Sequence, residues 1–113
     1  MSPNPFFSII IPVFNREGLI SQTLNSVLNQ TFVDFEVLAI DDYSSDQSVN
    51  TIKSIMNNDN RIKLIKHEKN KGRSAARNTG LKNAQGNWIC YLDSDDIYHK
   101  DHLQITLFPH QFF

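Results

Sequence analysis

Phe35-Glu36-Val37-Leu38-Ala39-Ile40-Asp41-Asp42-Tyr43-Ser44-Ser45-Asp46 is the stretch on which the fold turns. Phe35 to Ile40 reads as a strand. It breaks into acids and hydroxyls that favour turns and helix caps, ahead of Val49, Ile52, Ile55 and Met56 at helical spacing. The same order recurs on both sides. Phe6 to Val13 is a continuous apolar, β-branched run ended by Pro12 and Asn15, suited to a strand buried on both faces of a parallel sheet. Between Gly18 and Asn29, the residues Ile20, Leu24, Val27 and Leu28 mark an amphipathic helix. After the polar Asn57-Asn58-Asp59-Asn60, Ile62 to Ile65 alternates with Lys63 and Lys66, as in a shorter strand near a sheet edge. Lys69 to Arg73 turns the chain into a helix over Ser74 to Ala84, stopped by Gln85-Gly86. Trp88 to Leu92 is a fourth strand, and an amphipathic piece from His102 to Phe108 ends at Pro109. Strands alternating with helices over short connections predict an α/β, Rossmann-like fold: a mainly parallel sheet with helices on both faces.

The 113 residues suffice for one domain, 1–113, with a modest core. Hydrophobic residues are 40% and charged residues 20%, the composition of a soluble globular chain rather than a disordered one. The net charge is −1, and basic residues are spread from Arg16 to Lys100, so no nucleic-acid footprint is present. Cys90 stands alone, without a disulfide partner, and is expected to be a small buried hydrophobe in a reducing compartment. The N-terminus lacks a charged leader followed by an apolar segment, and no stretch is long enough to span a bilayer. A cytoplasmic location is therefore expected. The triplet Asn29-Gln30-Thr31 fits a glycosylation sequon, but such triplets arise by chance and a cytoplasmic chain would not use it.

In sheets of this kind ligands bind beyond the carboxyl ends of the strands, where the strand order reverses. Those ends carry Asn15-Arg16-Glu17, Asp41-Asp42-Tyr43-Ser44, Asn70-Lys71-Gly72-Arg73 and Asp93-Ser94-Asp95-Asp96. Carboxylates gathered at one edge repel unless a cation or hydrogen-bond donors sit among them. A metal-bound nucleotide supplies both, because Mg²⁺ and Mn²⁺ take one or two carboxylates plus ligand phosphates. On an extended segment Asp93 and Asp95 point one way, while Asp96 faces elsewhere unless the chain turns. Gly18, Gly72, Gly80 and Gly86 form no glycine-rich phosphate loop, which leaves metal and the cations Lys71, Arg73 and Arg77 to meet a diphosphate. Arg73 and Arg77 lie one helical turn apart.

Several polar residues have plainer explanations. Capping accounts for Ser44, Ser45, Asp46 and Asn78, and Asp42 serves either the loop or the ligand. His99 and His102 read as a solvated helix face rather than a zinc site, and Lys63, Lys66, Lys69 and Lys71 as a solvated edge. Phe32, Phe35, Trp88 and Tyr91 are expected to pack in the core or on the sheet.

The succession Ser8-Ile-Ile-Ile-Pro-Val-Phe-Asn15, Leu38-Ala-Ile-Asp-Asp-Tyr-Ser-Ser-Asp46, Asn70-Lys-Gly-Arg-Ser-Ala-Ala-Arg-Asn78 and Tyr91-Leu-Asp-Ser-Asp-Asp96 resembles glycosyltransferase family 2, whose members have the GT-A fold. The resemblance implies that Pro12, Phe14 and Glu17 line a nucleotide pocket and that Asp41 bonds the base, usually uracil. Arg73 would reach the base or diphosphate. Asp93 and Ser94 would lie by the ribose and sugar, and Asp95, with Asp93, would hold Mn²⁺ or Mg²⁺ against the diphosphate, Asp96 assisting or shaping the turn. Tyr43 replaces the family's usual glycine, which leaves the shape of that loop open.

The implied activity is inverting, metal-dependent transfer from a nucleotide-diphosphate sugar, UDP-linked by expectation, to an acceptor hydroxyl in polysaccharide synthesis. The general base belongs to the family's later half. Phe108 to Phe113 departs from the family's continuation, so the chain is expected to be a truncated GT-A domain, C-terminal half missing, that binds donor without turnover. The full-length enzyme would associate peripherally with the membrane. A second reading is a non-catalytic GT-A-like assembly module forming a homodimer through an exposed apolar edge. A sugar nucleotidylyltransferase would need a glycine-rich loop that Asn15-Arg16-Glu17-Gly18 does not provide.

Overall fold

The structure, a computed structural model, describes residues 4–107. Four strands, β1 (Phe7–Val13), β2 (Phe35–Asp41), β3 (Ile62–Lys66) and β4 (Trp88–Tyr91), alternate with the helices α1 (Ile20–Leu28), α2 (Ser48–Met56), α3 (Arg73–Asn83) and α4 (His102–Leu107). All strand pairs are parallel, in the order β3-β2-β1-β4. The first three strands step one way across the sheet, and β4 returns to the other side of β1. The order therefore reverses between β1 and β4, and a crevice opens above their carboxyl ends.

Alternation along the central strands creates two cores. Phe7, Ile9, Ile11 and Val13 of β1, with Phe35, Val37 and Ala39 of β2, pack against Ile20, Leu24 and Val27 of α1, Ile52 of α2 and Leu103 of α4. The intervening Ile10, Leu38 and Ile40 face Ala76 of α3. Helices thus cover both faces, as the continuous apolar runs require. Each fully buried Ile, Leu or Val contributes about 1.5–3 kcal/mol over an exposed one. At Gly80 a Cβ would stand 2.5 Å from Ile10 Cγ2, so glycine is what lets α3 lie this close to β1.

The α3 face also holds a buried acid. Glu36 Oε2 accepts the Ser8 hydroxyl at 2.6 Å and the Gln85 N–H at 2.7 Å, while Oε1 takes Lys63 Nζ at 2.9 Å. Gly86 N–H donates to Ser8 Oγ at 2.7 Å. Burial pushes the Glu36 carboxyl upward, but Ser8, Gln85 and Lys63 together outweigh it and hold the group below its ordinary value. One side chain therefore ties β1, β2, β3 and the α3–β4 turn together.

Some expectations are corrected. Trp88 and Tyr91 do not pack inside: they are 61% and 45% exposed, because β4 is an edge strand with β1 as its sole neighbour among the described residues. Phe32 and Phe35 do pack, Phe32 edge-on to Phe6 and Phe7, and Phe35 beneath the Arg61 guanidinium. Cys90 is half-buried against the larger core rather than enclosed, and burial pushes its thiol up. Helix α1 starts at Ile20 instead of Gly18, since Arg16 to Leu19 form a separate turn in which Arg16 C=O accepts the N–H of Leu19 and Ile20. Phe108 and the tail beyond it lie outside the described residues. Among those residues, no helix is long and apolar enough to cross a membrane.

Candidate functional site

Two loops rise from the carboxyl ends of β1 and β2, and backbone N–H groups of the first are met by side chains of the second. Asn15 N–H donates to Ser44 Oγ at 2.9 Å, Arg16 N–H to Ser48 Oγ at 2.8 Å and Glu17 N–H to Asp46 Oδ2 at 3.2 Å. In return, Ser45 N–H donates to Asn15 Oδ1 at 2.9 Å. Residues expected to be simple caps therefore clamp loop to loop. Asp41, 2% exposed, anchors the clamp: Ser44 donates its hydroxyl to Oδ1 at 2.6 Å and its N–H to Oδ2 at 3.0 Å. Tyr43 has φ 67°, a left-handed conformation that glycine adopts freely and other residues rarely do. The loop keeps a glycine's shape without the glycine.

Asp42 turns to the other wall. Its Oδ1 meets His67 Nδ1 at 2.8 Å and accepts Lys71 N–H at 2.8 Å, while Oδ2 accepts Gly72 N–H at 2.9 Å. Burial raises the Asp42 carboxyl, but the bonds from His67, Lys71 and Gly72 more than offset that and leave it below its ordinary value. Gly72, at φ 97°, then feeds Arg73 into the first turn of α3.

Between these walls lies a cleft of about 300 Å³ lined by Pro12, Val13, Phe14, Arg16, Asp42, Asn70, Gly72, Arg73, Ala76 and Ser94. Ser94 joins this cleft to the turn after β4, where Asp96 N–H donates to Asp93 C=O at 3.0 Å; Asp93 and Asp96 themselves border a neighbouring depression with Arg77, Tyr91 and His102. The turn replaces the extended segment and brings Asp96 in with Asp93 and Asp95, so that a carboxylate oxygen from each lies within 4.8 Å of the others. Hard oxygen donors at this spacing, Asp93 half-buried and Asp95 and Asp96 exposed, are open to further ligands and fit Mg²⁺ or Mn²⁺ carrying a phosphate. Arg77 Nη2 and Arg73 Nη1 approach Asp93 Oδ1 at 3.7 and 4.0 Å, which leaves two guanidinium groups beside the acids. The Thr23 hydroxyl donates to Ser94 C=O at 3.0 Å and pins the turn to α1.

Of the residues singled out in the sequence, Pro12, Phe14, Arg73 and Ser94 share the cleft, and Asp93 and Asp95 share the acidic turn. Asp41 and Glu17 do not line the cleft; Asp41 borders a separate depression with Tyr43, Lys66 and His67. Asp42, left between two roles, is the acid that faces the cleft. His67 was missed. Its only trace in the sequence is a polar residue directly after a strand. His99 Nδ1 accepts the Asp101 N–H and His102 stacks on Tyr98 at 4.0 Å, roles that need no zinc.

The family model described as Glycosyl transferase family 2 matches residues 8–111. The chain belongs to that family. The match extends into the tail that was expected to depart from the family's continuation. An uncharacterized glycosyltransferase of Haemophilus influenzae is 45% identical over 91% of this chain and 41% of its own length. The Escherichia coli UDP-Glc:alpha-D-GlcNAc-diphosphoundecaprenol beta-1,3-glucosyltransferase WfgD is also 45% identical, over 88% of this chain and 39% of its own. Among solved structures, S. aureus TarS 1–349 in complex with UDP superposes with a TM-score of 0.83 and 36% identity, over 90% of this chain and 31% of TarS. The fold is therefore that of the GT-A glycosyltransferases, and the chain spans less than half the length of each of these relatives.

Proposed function

We propose that this family 2 chain forms the donor side of an inverting, metal-dependent glycosyltransferase and binds a UDP-sugar. The observation that carries the reading is the convergence, at the reversal of strand order, of the Pro12–Arg73 cleft with the Asp93–Asp96 turn. Uridine is favoured because TarS was solved with UDP and the E. coli relative is named for UDP-glucose.

In this reading Phe14, 43% exposed, offers its ring to the base over the Pro12 floor. Asp41, buried outside the cleft, supports the base pocket through its clamp on Ser44 rather than by touching the base. Glu17 guards the rim. Arg73, with Arg77 behind it, meets the diphosphate as guanidinium groups suit phosphate. Asp95, with Asp93 and Asp96, would hold the divalent ion, which neutralises charge developing on the leaving diphosphate. Ser94 fixes the turn at the ribose side. Turnover needs an acceptor site and a general base, which we assign to a part of the enzyme other than these residues. For the full-length enzyme, we place the work at the cytoplasmic membrane face, in polysaccharide synthesis.

Calorimetry with UDP and Mn²⁺ tests this. Binding that disappears in Asp95→Ala is expected; no binding, or binding indifferent to that substitution, removes the nucleotide site. The exposed Trp88, Tyr91 and Ile97 around β4 favour a second reading, self-association through that edge. Light scattering separates the two, because a dimer indifferent to nucleotide supports assembly, whereas a monomer that tightens with UDP and metal supports the donor site.

A further inference from the structure

We propose that His67 is a positioning residue for the nucleotide site, acting through Asp42 to fix the backbone that carries Arg73; the functional part of this inference rests on the donor-site reading above. His67 does not line the cleft. Its side chain is 5% exposed, and its backbone N–H donates to Asp41 C=O at 2.8 Å, which extends the β2–β3 ladder by one bond. Nδ1 stands 2.8 Å from Asp42 Oδ1, and because a carboxylate only accepts, Nδ1 carries the proton. Nε2, left as the acceptor, lies 2.8 Å from Thr79 Oγ1, whose single hydroxyl proton is shared between Nε2 and Ala75 C=O, 3.0 Å away in α3. The ring therefore bridges the end of β2 to the body of α3.

Asp42 is the other half of the device. Its buried carboxylate holds the Lys71 and Gly72 amides, and the next residue is Arg73. Gly72 at φ 97° is the pivot of that segment. Without the ring, the carboxylate keeps only the two amides and turns toward water in the cleft. Lys71 and Gly72 follow it, and Arg73 leaves the position from which it lines the site. Catalytic and binding groups misplaced by about 1 Å lose a large part of their effect.

A ring that merely stabilised the interior would respond equally to the loss of either bond. Side-chain length separates the cases. In His67→Asn the amide nitrogen lies where Nδ1 does and keeps Asp42; in His67→Gln it lies where Nε2 does and keeps Thr79. UDP·Mn²⁺ affinity by calorimetry and ligand-free amide exchange at Lys71 and Gly72 are measured on both, on His67→Leu and on Thr79→Val. The expectation is near-native affinity and protection in His67→Asn and Thr79→Val, and about tenfold weaker affinity with fast exchange in His67→Gln and His67→Leu. Equal losses in the Asn and Gln variants, or native behaviour in His67→Gln, overturn the proposal. If the unaltered chain does not bind UDP, the donor-site reading fails, and the exchange pattern alone decides for or against the positioning role.

Discussion

Replacing Glu36 with alanine should remove a large fraction of the domain's stability, although the residue lies level with Ser8 at the opposite end of the strands from the cleft-forming loops. The substitution deletes the acceptor of the Ser8 hydroxyl, the Gln85 N–H and Lys63 Nζ at a position 4% exposed. Leaving a buried donor unmade costs about 1–3 kcal/mol, so the buried hydroxyl and the part-buried amide together set the loss at about 2–6 kcal/mol, the amide contributing the smaller share. Small domains hold about 5–15 kcal/mol in total, which places the variant near the edge of folding. The Lys63 bond is different. Its side chain is 48% exposed, so Lys63→Ala should cost less than about 1 kcal/mol. Urea titration followed by far-ultraviolet circular dichroism is the suitable assay, because the single tryptophan, Trp88, is too exposed to report unfolding well. An unchanged slope with a midpoint lowered by more than about 1 M is expected for Glu36→Ala. A loss no greater than that of Lys63→Ala would refute the assignment of stability to the buried bonds.

Acid should destabilise the fold through the same residue and through Asp42. Both folded-state carboxyls lie below their ordinary values of 4.5 and 3.8, so their contribution is complete above those values and is lost as pH falls through the lower folded ones. Urea midpoints measured from neutral to acid pH should stay level with respect to these groups until about pH 4.5 and then drop, and a drop beginning near neutrality would contradict this. Tyr43→Gly should stabilise the chain by about 1 kcal/mol, since the left-handed φ of 67° costs a side chain that much and glycine little. A thermal melt that moves downward would show that the exposed tyrosine ring repays its strain elsewhere.

Much of the fold was legible because the buried strands are nearly unbroken apolar runs and the turns between elements are rich in Asp, Asn, Ser and Gly. The apolar face of α1 at Ile20, Leu24 and Val27 is the buried face. What periodicity does not encode is which strands become neighbours. Trp88 and Tyr91 look like core residues until β4 takes an edge position. The acids were legible as a class, but not their directions. Backbone turning after Leu92 gathers Asp96 with its neighbours, and the loop clamp directs Asp41 to Ser44 while Asp42 faces the cleft. Glu36 and His67 escaped notice because a lone polar residue in or beside an apolar run carries no sign of its partners, which come from distant segments.

The pairing of β1 with β4 also bears on how the molecule assembles. Phe7 meets Trp88 in register, so most of the chain lies inside the loop that this contact closes. The pairing of β1 with β2, and of β2 with β3, spans much shorter segments and pays less closure entropy. During synthesis, a three-stranded β3-β2-β1 sheet can therefore form first, with the apolar β1 left as an open edge. The crevice does not exist until the last strand arrives. The crevice and the sheet are then completed together, and a chain stalled before Trp88 would expose the β1 edge to aggregation.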